Sequence, residues 1–298
     1  MVVAALVLVI GELTARYVIG LGTPPLTIVD EVTEYRFAPN QDVTRFHNRQ
    51  LYNEFSMRSP PLDQVSADRR VIVLGDSVIN GGGLTDHSDL ATTIASNDAI
   101  FFGNASAGSW GPANLAGWIE RFGYAGADSA VLVLNSKDLN DIPSFDPLDS
   151  LDYPVEKPVS AFGELITRYL LPEFGWRSEA EPRRQARARS GAGEIEIARL
   201  MDRFREDGVP LCIVHNPMRR ELLAEILPAG VRLQELFKER GVPVISARDV
   251  YRTQNESGAD LYRDDIHLNA EGQRALAPLL IDCAAAAQVP SPPPNQTR

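Results

Sequence analysis

The sequence predicts a three-layer α/β/α sandwich built around a parallel β-sheet. Two observations indicate this fold class: short, continuously apolar runs rich in Val, Ile and Leu recur along the chain, and helical patterns separate them. Continuous apolar runs are typical of strands buried on both faces, and parallel strands require crossover connections that are usually helical. The composition agrees, since 44% hydrophobic and 23% charged residues are close to the average of globular proteins.

Five strands are predicted in the main part of the chain, at residues 71–74, 99–102, 130–134, 211–214 and 242–245. Helices are predicted at residues 114–122, 195–204, 219–239 and 270–287. We therefore expect the main domain at residues 69–288. An insertion interrupts it at about 141–193, where the sequence becomes Pro-rich, acidic and aromatic apart from one amphipathic segment at 161–171.

The flanking segments differ from this domain. Residues 1–22 begin with an apolar run that Glu12 and Arg16 interrupt, so the run is shorter than the ~20 residues of a typical membrane-spanning helix. We expect an export signal or a membrane anchor, and therefore an exported or membrane-attached protein, with a plain amphipathic or buried helix as the alternative. Residues 23–68 are expected to be an extended lead that wraps onto the domain, and the Pro-rich residues 289–298 a disordered tail.

Charge and residue usage exclude several classes of partner. A formal charge of −11 at pH 7 disfavours binding to nucleic acid or anionic lipid headgroups, because an acidic surface repels both. Only four histidines and two cysteines are present, and Cys212 and Cys283 lack metal-type spacing, so no metal site is expected. Both cysteines lie in apolar runs, which favours buried free thiols over a disulfide.

Three further features receive structural interpretations. The glycines at 81–83 are not followed by a phosphate-binding motif, so they indicate flexible backbone rather than a nucleotide site, and no cofactor is expected. Trp110 and Trp118 are expected in the core. The arginine-rich run at 183–189 is expected to be a solvated surface.

The first motif that indicates chemistry is Gly75-Asp76-Ser77, directly after the first predicted strand. A serine at a strand-to-helix turn is lifted off the carboxyl edge of the sheet, where the first N–H groups of the helix are available to an oxyanion. Such a position suits a nucleophile. The same three residues could equally form a helix cap, so the motif needs a second element.

That second element is the segment from Asp264 to Gly272, which contains Asp264, Asp265 and His267 just before the last helix. A serine nucleophile needs a base, and an imidazole base needs a carboxylate that fixes its tautomer and stabilises its charged form. Both motifs fall where loops meet at the carboxyl edge of a parallel sheet. Together they predict a Ser-His-Asp triad.

With these residues in place, residues 69–287 resemble the SGNH, or GDSL-type, hydrolase family. The resemblance implies a flavodoxin-like five-stranded sheet, with Ser77 as the nucleophile, His267 as the base and Asp264 as the carboxylate, or Asp265 in its place. It also implies an oxyanion hole built from backbone N–H groups of Ser77 and of the block that ends in Gly108-Ser109. Ser109 stands where the family has a glycine, although a backbone donor does not require one.

The third block of the family departs further, since Lys137 replaces the asparagine that donates to the oxyanion. Lys137 could itself be a cationic donor, or Asn135 or Asn140 could substitute for it. Loss of one such donor raises the activation free energy by roughly 2.7–4 kcal/mol. A salt bridge from Lys137 to Asp138 or Asp141 is the structural alternative.

The resemblance implies a serine esterase that acts on O-acyl esters, with acetyl esters of carbohydrate as the expected substrate. Family members with an N-terminal apolar segment include enzymes that modify cell-surface polysaccharide, which keeps an O-acetyltransferase of exported polysaccharide as a second hypothesis. A noncatalytic polysaccharide-binding module is a third, because Lys137 could disable the oxyanion hole. The residues alone do not choose among these three.

Overall fold

A computed structural model describes residues 2–143, 145, 148–175 and 192–287. The arginine-rich run at 183–189 and the tail at 289–298 lie outside the described residues.

Nine strands are present among the described residues: β1 Thr27–Asp30, β2 Glu34–Phe37, β3 Gln41–Arg45, β4 Asn48–Tyr52, β5 Arg69–Gly75, β6 Ile100–Ser106, β7 Ser129–Leu134, β8 Leu211–His215 and β9 Val244–Ser246. The α-helices are α1 Val2–Leu13, α2 Ser77–Asn80, α3 Ala91–Ala95, α4 Pro112–Phe122, α5 Ala161–Glu164, α6 Leu171–Glu173, α7 Ala192–Glu206, α8 Arg219–Leu223, α9 Pro228–Glu239, α10 Arg248–Glu256 and α11 Ala270–Ala286. Two π-helical stretches, Thr14–Ile19 and Leu165–Leu170, continue α1 and α5.

The central sheet has five parallel strands in the order β6-β5-β7-β8-β9. In chain order this is 2-1-3-4-5, the flavodoxin-like arrangement, whose direction of winding reverses between β5 and β7. All five predicted strands are present, each shifted or extended by one to four residues. The predicted fold class is therefore confirmed.

The two faces of the sheet are covered by different helices. Alternate residues of β5 point to opposite sides, as the pleat requires: Ile72 packs with Trp118 of α4 and Phe204 of α7, whereas Val73 packs with Tyr251 of α10 and Leu280 of α11. Both faces are thus buried, and the molecule has three layers. Trp110 and Trp118 are almost fully buried, as predicted.

One sequence-based expectation about local structure was wrong. The pattern at 219–239 is not one helix: α8 ends at Leu223, and α9 begins at Pro228, a residue that fits the first turn of a helix but not its interior. Between residues 23 and 68, the described chain contains two antiparallel hairpins, β1–β2 and β3–β4, a pairing that the sequence analysis did not predict.

The expectation of free thiols was also wrong, because Cys212 and Cys283 form a disulfide. Cys212 lies on β8, Cys283 lies on α11, and both side chains are fully buried in the same layer of the core. Their Cα atoms are 5.5 Å apart, which falls within the range that disulfides need. The sequence hides this pairing because 71 residues separate the two cysteines.

The N-terminal helix is the most apolar exposed feature of the described chain. Residues Val2–Ile19 form one helical stretch of 18 residues that is long and apolar enough to cross a membrane, and it is hardly buried in the protein. A membrane anchor and a signal sequence both have this composition. Its far end is attached to the domain, since Glu12 Oε2 accepts a hydrogen bond of 2.9 Å from Phe162 N.

Candidate active site

Ser77 lies at the carboxyl end of β5, next to the point where the winding of the sheet reverses. Asp76 caps the short helix α2 by accepting a 2.8 Å hydrogen bond from Val78 N. The turn is tight, because a Cβ on Gly75 would meet Ile79 Cγ2 at 2.8 Å and Val133 O at 3.0 Å. Glycine at position 75 therefore lets the strand pass directly into the helix and exposes the Ser77 hydroxyl at the sheet edge.

The structure brings Ser77, His267 and Asp264 into one hydrogen-bonded chain. The distance from His267 Nε2 to Ser77 Oγ is 2.8 Å, and the distance from His267 Nδ1 to Asp264 Oδ2 is 2.7 Å. The other oxygen of Asp264 accepts hydrogen bonds of 2.8 Å from the backbone N–H groups of Ile266 and His267. One carboxylate therefore holds both the loop and the imidazole ring in place.

These hydrogen bonds govern the charge of Asp264. Burial acts to raise its pKa, but the backbone and ring N–H groups of His267 and the backbone N–H of Ile266 outweigh burial and lower the pKa to about 2. Asp264 is thus ionised at neutral pH. It can orient the imidazole and stabilise its protonated form.

Asp265, the alternative carboxylate, points elsewhere. Its Oδ1 accepts a hydrogen bond of 3.3 Å from Arg220 N, and its Oδ2 lies 3.5 Å from Arg220 Nε. It therefore links the histidine loop to α8, while Asp264 contacts the ring.

Backbone donors are available at the candidate oxyanion hole. The N–H groups of Ser77, Gly108 and Ser109 donate to no acceptor among the residues that the structure describes, and all three residues line one cavity. Ser109 has φ of +59°, a left-handed conformation that favours glycine. The geometry explains why a glycine would be expected here, and Ser109 keeps the backbone donor in the same conformation.

The third block does not supply a side-chain donor to this cavity. Lys137 is exposed and is absent from the cavity lining, and none of its contacts is an ion pair with a described carboxylate. Asn135 is buried and uses its amide to donate to Asp76 Oδ2 at 3.0 Å. Asn140 lies in the short 3-10 turn Asp138–Asn140 and does not line the cavity either.

Beneath Ser77, Asp76, Asn135 and Asp138 form a buried polar cluster. Asn135 bridges the two carboxyl groups, because its side chain donates to Asp76 and its backbone N–H donates to Asp138 Oδ2 at 2.7 Å. Burial raises the pKa of both carboxyl groups, and the charge of Asp76 raises the pKa of Asp138 further. Asn135 thus helps to fix the loop that carries Ser77.

Arg58 is a site residue that the sequence analysis missed. It is completely buried, and its guanidinium donates to the backbone oxygens of Asn80, of Gly82 at 2.7 Å and of Thr85 at 2.5 Å. These contacts fix the glycine-containing loop that follows Ser77. A single arginine in an irregular segment offers no periodic or motif signal, so only the fold reveals this role.

A cavity of about 330 Å³ opens beside Ser77. This volume is at the lower end of the range of small-molecule pockets. Its walls come from the loops around Ser77 and Gly108, from both N-terminal hairpins and from the insertion. Aromatic rings contribute much of the lining: Tyr35, Phe37, Phe46, Tyr52, Tyr153 and Tyr169.

Within the described residues, no group of three or more His, Cys, Asp and Glu side chains could hold a metal ion. None of the other three histidines forms a hydrogen bond with Ser77, His267 or Asp264. His215 is buried, and its Nδ1 lies 3.1 Å from Gln234 Nε2. His47 Nε2 lies 2.9 Å from Val18 O. Burial, followed by the charges of Arg58 and Arg49, lowers the pKa of His87 to about 4.

No protein-family model and no curated protein sequence matches the chain. Among solved structures, a member of the lipolytic G-D-S-L family from Veillonella parvula aligns with a TM-score of 0.42 and 12% identity, covering 72% of this chain and 97% of that one. An acetylxylan esterase from Geobacillus stearothermophilus, solved as a catalytic mutant, aligns with a TM-score of 0.45 and 12% identity, covering 74% and 95%. A two-domain esterase active on acetylated mannans has a TM-score of 0.46 and 12% identity, covering 78% and 53%. At this level of likeness, the chemistry of the chain has to be derived from its own residues.

Proposed function

We propose that this chain is an SGNH-type serine esterase that cleaves O-acyl esters, with Ser77 as the nucleophile, His267 as the general base and Asp264 as the orienting carboxylate. The observation that carries the proposal is the unbroken chain of hydrogen bonds from Asp264 through His267 to Ser77 Oγ, at 2.7 and 2.8 Å. Both distances lie within the reach that proton transfer between a nucleophile and its base requires.

In the first half of the reaction, His267 Nε2 takes the proton of Ser77 as Oγ attacks the ester carbonyl carbon. The carbonyl oxygen becomes an oxyanion, which accepts hydrogen bonds from the free backbone N–H groups of Ser77 and of Gly108 or Ser109. The protonated imidazole is stabilised by the ionised Asp264. It then gives its proton to the leaving alcohol, and an acyl-enzyme remains.

In the second half, His267 removes a proton from water, and the resulting hydroxide attacks the acyl-enzyme through the same oxyanion hole. The carboxylic acid leaves, and the proton returns to Ser77 Oγ. If a sugar hydroxyl replaces water in this step, the same machinery transfers the acyl group to the sugar. The lack of a side-chain donor from the third block, where Lys137 stands, predicts a modest chemical rate.

The proposed substrate is an acetyl ester of a carbohydrate outside the cytoplasm. Aromatic rings and polar groups surround the nucleophile, and this combination suits a sugar, which has apolar faces and many hydroxyl groups. The exposed apolar helix Val2–Ile19 supports export or membrane attachment. The buried Cys212–Cys283 disulfide supports an oxidising compartment.

The test compares acetate release from an aryl acetate by the wild type and by Ser77→Ala, after both proteins are shown to be folded. Turnover that disappears in Ser77→Ala supports the esterase. Mass spectrometry of an added oligosaccharide then shows whether water or the sugar accepts the acyl group, since only a transferase adds an acetyl group to the sugar. Equal background rates in both proteins would favour the noncatalytic binding module instead.

A further inference from the structure

The N-terminal hairpin β3–β4 contributes two buried polar side chains to the cavity beside Ser77. Arg45, at the end of β3, is 4% exposed, and Gln50, on β4, is 1% exposed. Both line the cavity together with Ser77, Gly108 and Ser109. They approach the loop after the nucleophile closely, because a Cβ on Gly83 would lie 3.6 Å from both Arg45 Cδ and Gln50 Nε2.

Each of these side chains has a buried donor without a partner. Arg45 Nη1 and Gln50 Nε2 are shielded from solvent and make no hydrogen bond to any residue that the structure describes. Such an orphaned donor is costly in a folded protein, roughly 1–3 kcal/mol for each group. The buried hydroxyl of Tyr52, which lines the same cavity, also has no partner in the described part of the chain. Such donors in one cavity wall indicate a place where a ligand supplies oxygen acceptors.

The charges of the two cavity-lining arginines, Arg45 and Arg168, are already balanced, because Glu164 lies near both and Asp152 lies 4.0 Å from Arg168. Arg45 Nη2 donates to Glu164 Oε1 at 2.5 Å and to Tyr169 Oη at 2.9 Å, and the Arg45 and Glu164 side chains are 5% and 6% exposed. An anionic ligand would therefore find no unpaired positive charge at Arg45, because Glu164 already neutralises it. A protein with a formal charge of −11 also repels an acidic polymer at a distance.

We propose that Arg45 and Gln50 form a binding subsite for an uncharged glycosyl unit next to the scissile ester, with hydroxyl or ring oxygens of the sugar accepting from Arg45 Nη1 and Gln50 Nε2. The surrounding aromatic rings, Phe46 and Tyr169 among them, pack against the sugar face. This inference rests on the proposed esterase function and assigns its substrate class to the N-terminal hairpin rather than to the α/β domain.

The test uses the full chain in detergent micelles and three variants. Arg45→Lys keeps the charge next to Glu164 but removes the Nη1 donor, and Gln50→Leu removes the amide at similar size. Arg49→Lys is the matched control: it makes the same change on the same hairpin, but Arg49 is 52% exposed and does not line the cavity. Thermal melts establish that each variant is folded.

For acetylated xylo-oligosaccharide, Arg45→Lys and Gln50→Leu should each lower kcat/KM about tenfold, mainly by raising KM, as expected for a lost hydrogen bond. For an aryl acetate, which lacks the sugar, both variants should lose much less kcat/KM than they lose for the sugar ester. An acetylated galacturonate oligosaccharide should be a poorer substrate than the neutral one. Arg49→Lys should match the wild type throughout.

A second readout separates this inference from the proposed catalysis. In the Ser77→Ala background, calorimetric titration with neutral xylo-oligosaccharide should show a Kd that Arg45→Lys and Gln50→Leu weaken about tenfold. If the wild type lacks Ser77-dependent esterase activity, the proposed function fails while this titration still tests the subsite. Unchanged binding and kinetics in both variants, equal losses for the aryl acetate and the sugar ester, or a preference for the acidic oligosaccharide would each overturn the subsite.

Discussion

At Ser77, side chains from two distant loops are in direct contact. Ser77 and His267 are 190 positions apart, yet the Asp264 carboxylate fixes the histidine loop through two backbone N–H groups, and Arg263 ties that loop to Gly81 O at 3.1 Å. The triad is thus held by short-range contacts on both sides. This pre-organisation is what electrostatic catalysis requires.

One prediction at the residue scale concerns Ser109. Replacing it with glycine removes a left-handed backbone penalty of about 1–2 kcal/mol but adds about 0.5–1 kcal/mol of unfolded-chain entropy. We therefore expect Ser109→Gly to raise the free energy of unfolding by roughly 0.5 kcal/mol and to retain esterase activity, because the backbone N–H remains. Urea denaturation and acetate release measure the two effects.

Ser109→Val is the matched contrast, since a β-branched residue fits the left-handed conformation worst. It should be clearly less stable than the wild type. A folded Ser109→Gly protein without activity would mean that the hydroxyl, and not the backbone, serves the oxyanion hole.

The second residue-scale prediction concerns pH. Burial, together with Arg58 and Arg49, lowers the pKa of His87 from 6.5 to about 4 in the folded protein, so the unfolded chain binds more protons between these values. Stability from this residue is complete above pH 6.5 and is lost as the pH falls towards 4. This difference in the pKa of His87 corresponds to at most about 3 kcal/mol of unfolding free energy. Urea denaturation at pH 4.5, 5.5 and 7 should show a smaller loss for His87→Gln than for the wild type; parallel losses would refute the assignment.

At the scale of elements, the sequence predicts the buried strands well because continuous apolar runs report burial on both faces. It predicts the hairpins at 27–52 poorly, since short, partly exposed strands such as Gln41–Arg45 alternate polar and apolar residues only weakly. The three hydrogen-bonded residues of the candidate triad can be picked out from the sequence because they lie in two short motifs. The contacts of Arg45, Gln50 and Arg58 cannot, because they form only when distant loops pack together.

The disulfide between β8 and α11 gives a prediction at this scale. It closes a loop of 71 residues, and chain entropy assigns such a crosslink about 4 kcal/mol of stabilisation. The double variant Cys212→Ala/Cys283→Ala should therefore lose roughly 4 kcal/mol of unfolding free energy and remain active if folded. Free-thiol titration of the unreduced, denatured wild type should find no thiols; two free thiols would contradict the disulfide.

At the scale of the whole molecule, the apolar helix contacts the insertion, which forms one wall of the cavity. Glu12 accepts from Phe162 N, and Glu164 accepts from Gly22 N at 2.8 Å while it binds Arg45. The helix, the insertion and the β3–β4 hairpin thus share one set of contacts. A membrane that holds the helix would hold the cleft near its surface.

We predict that the helix drives membrane binding. Leu6 and Val9 are 57% and 55% exposed, and an Asp at the centre of a spanning helix costs about 2.5–3.5 kcal/mol. The variant Leu6→Asp/Val9→Asp should lose most of the flotation with phosphatidylcholine vesicles that the wild type shows. Val231→Asp, at a 45% exposed position of α9, is the control and should float normally. Equal flotation of all three proteins would exclude the helix as the anchor.

The central claim is that His267, oriented by Asp264, activates Ser77. The most direct measurement is labelling of the full chain with a fluorophosphonate, followed by peptide mass spectrometry. The wild type should carry one adduct on Ser77, Asp264→Asn should label much more slowly, and His267→Ala should not label on the same timescale. Labelling of Ser77 that proceeds equally fast in all three proteins, or no labelling of folded wild type, would contradict the triad.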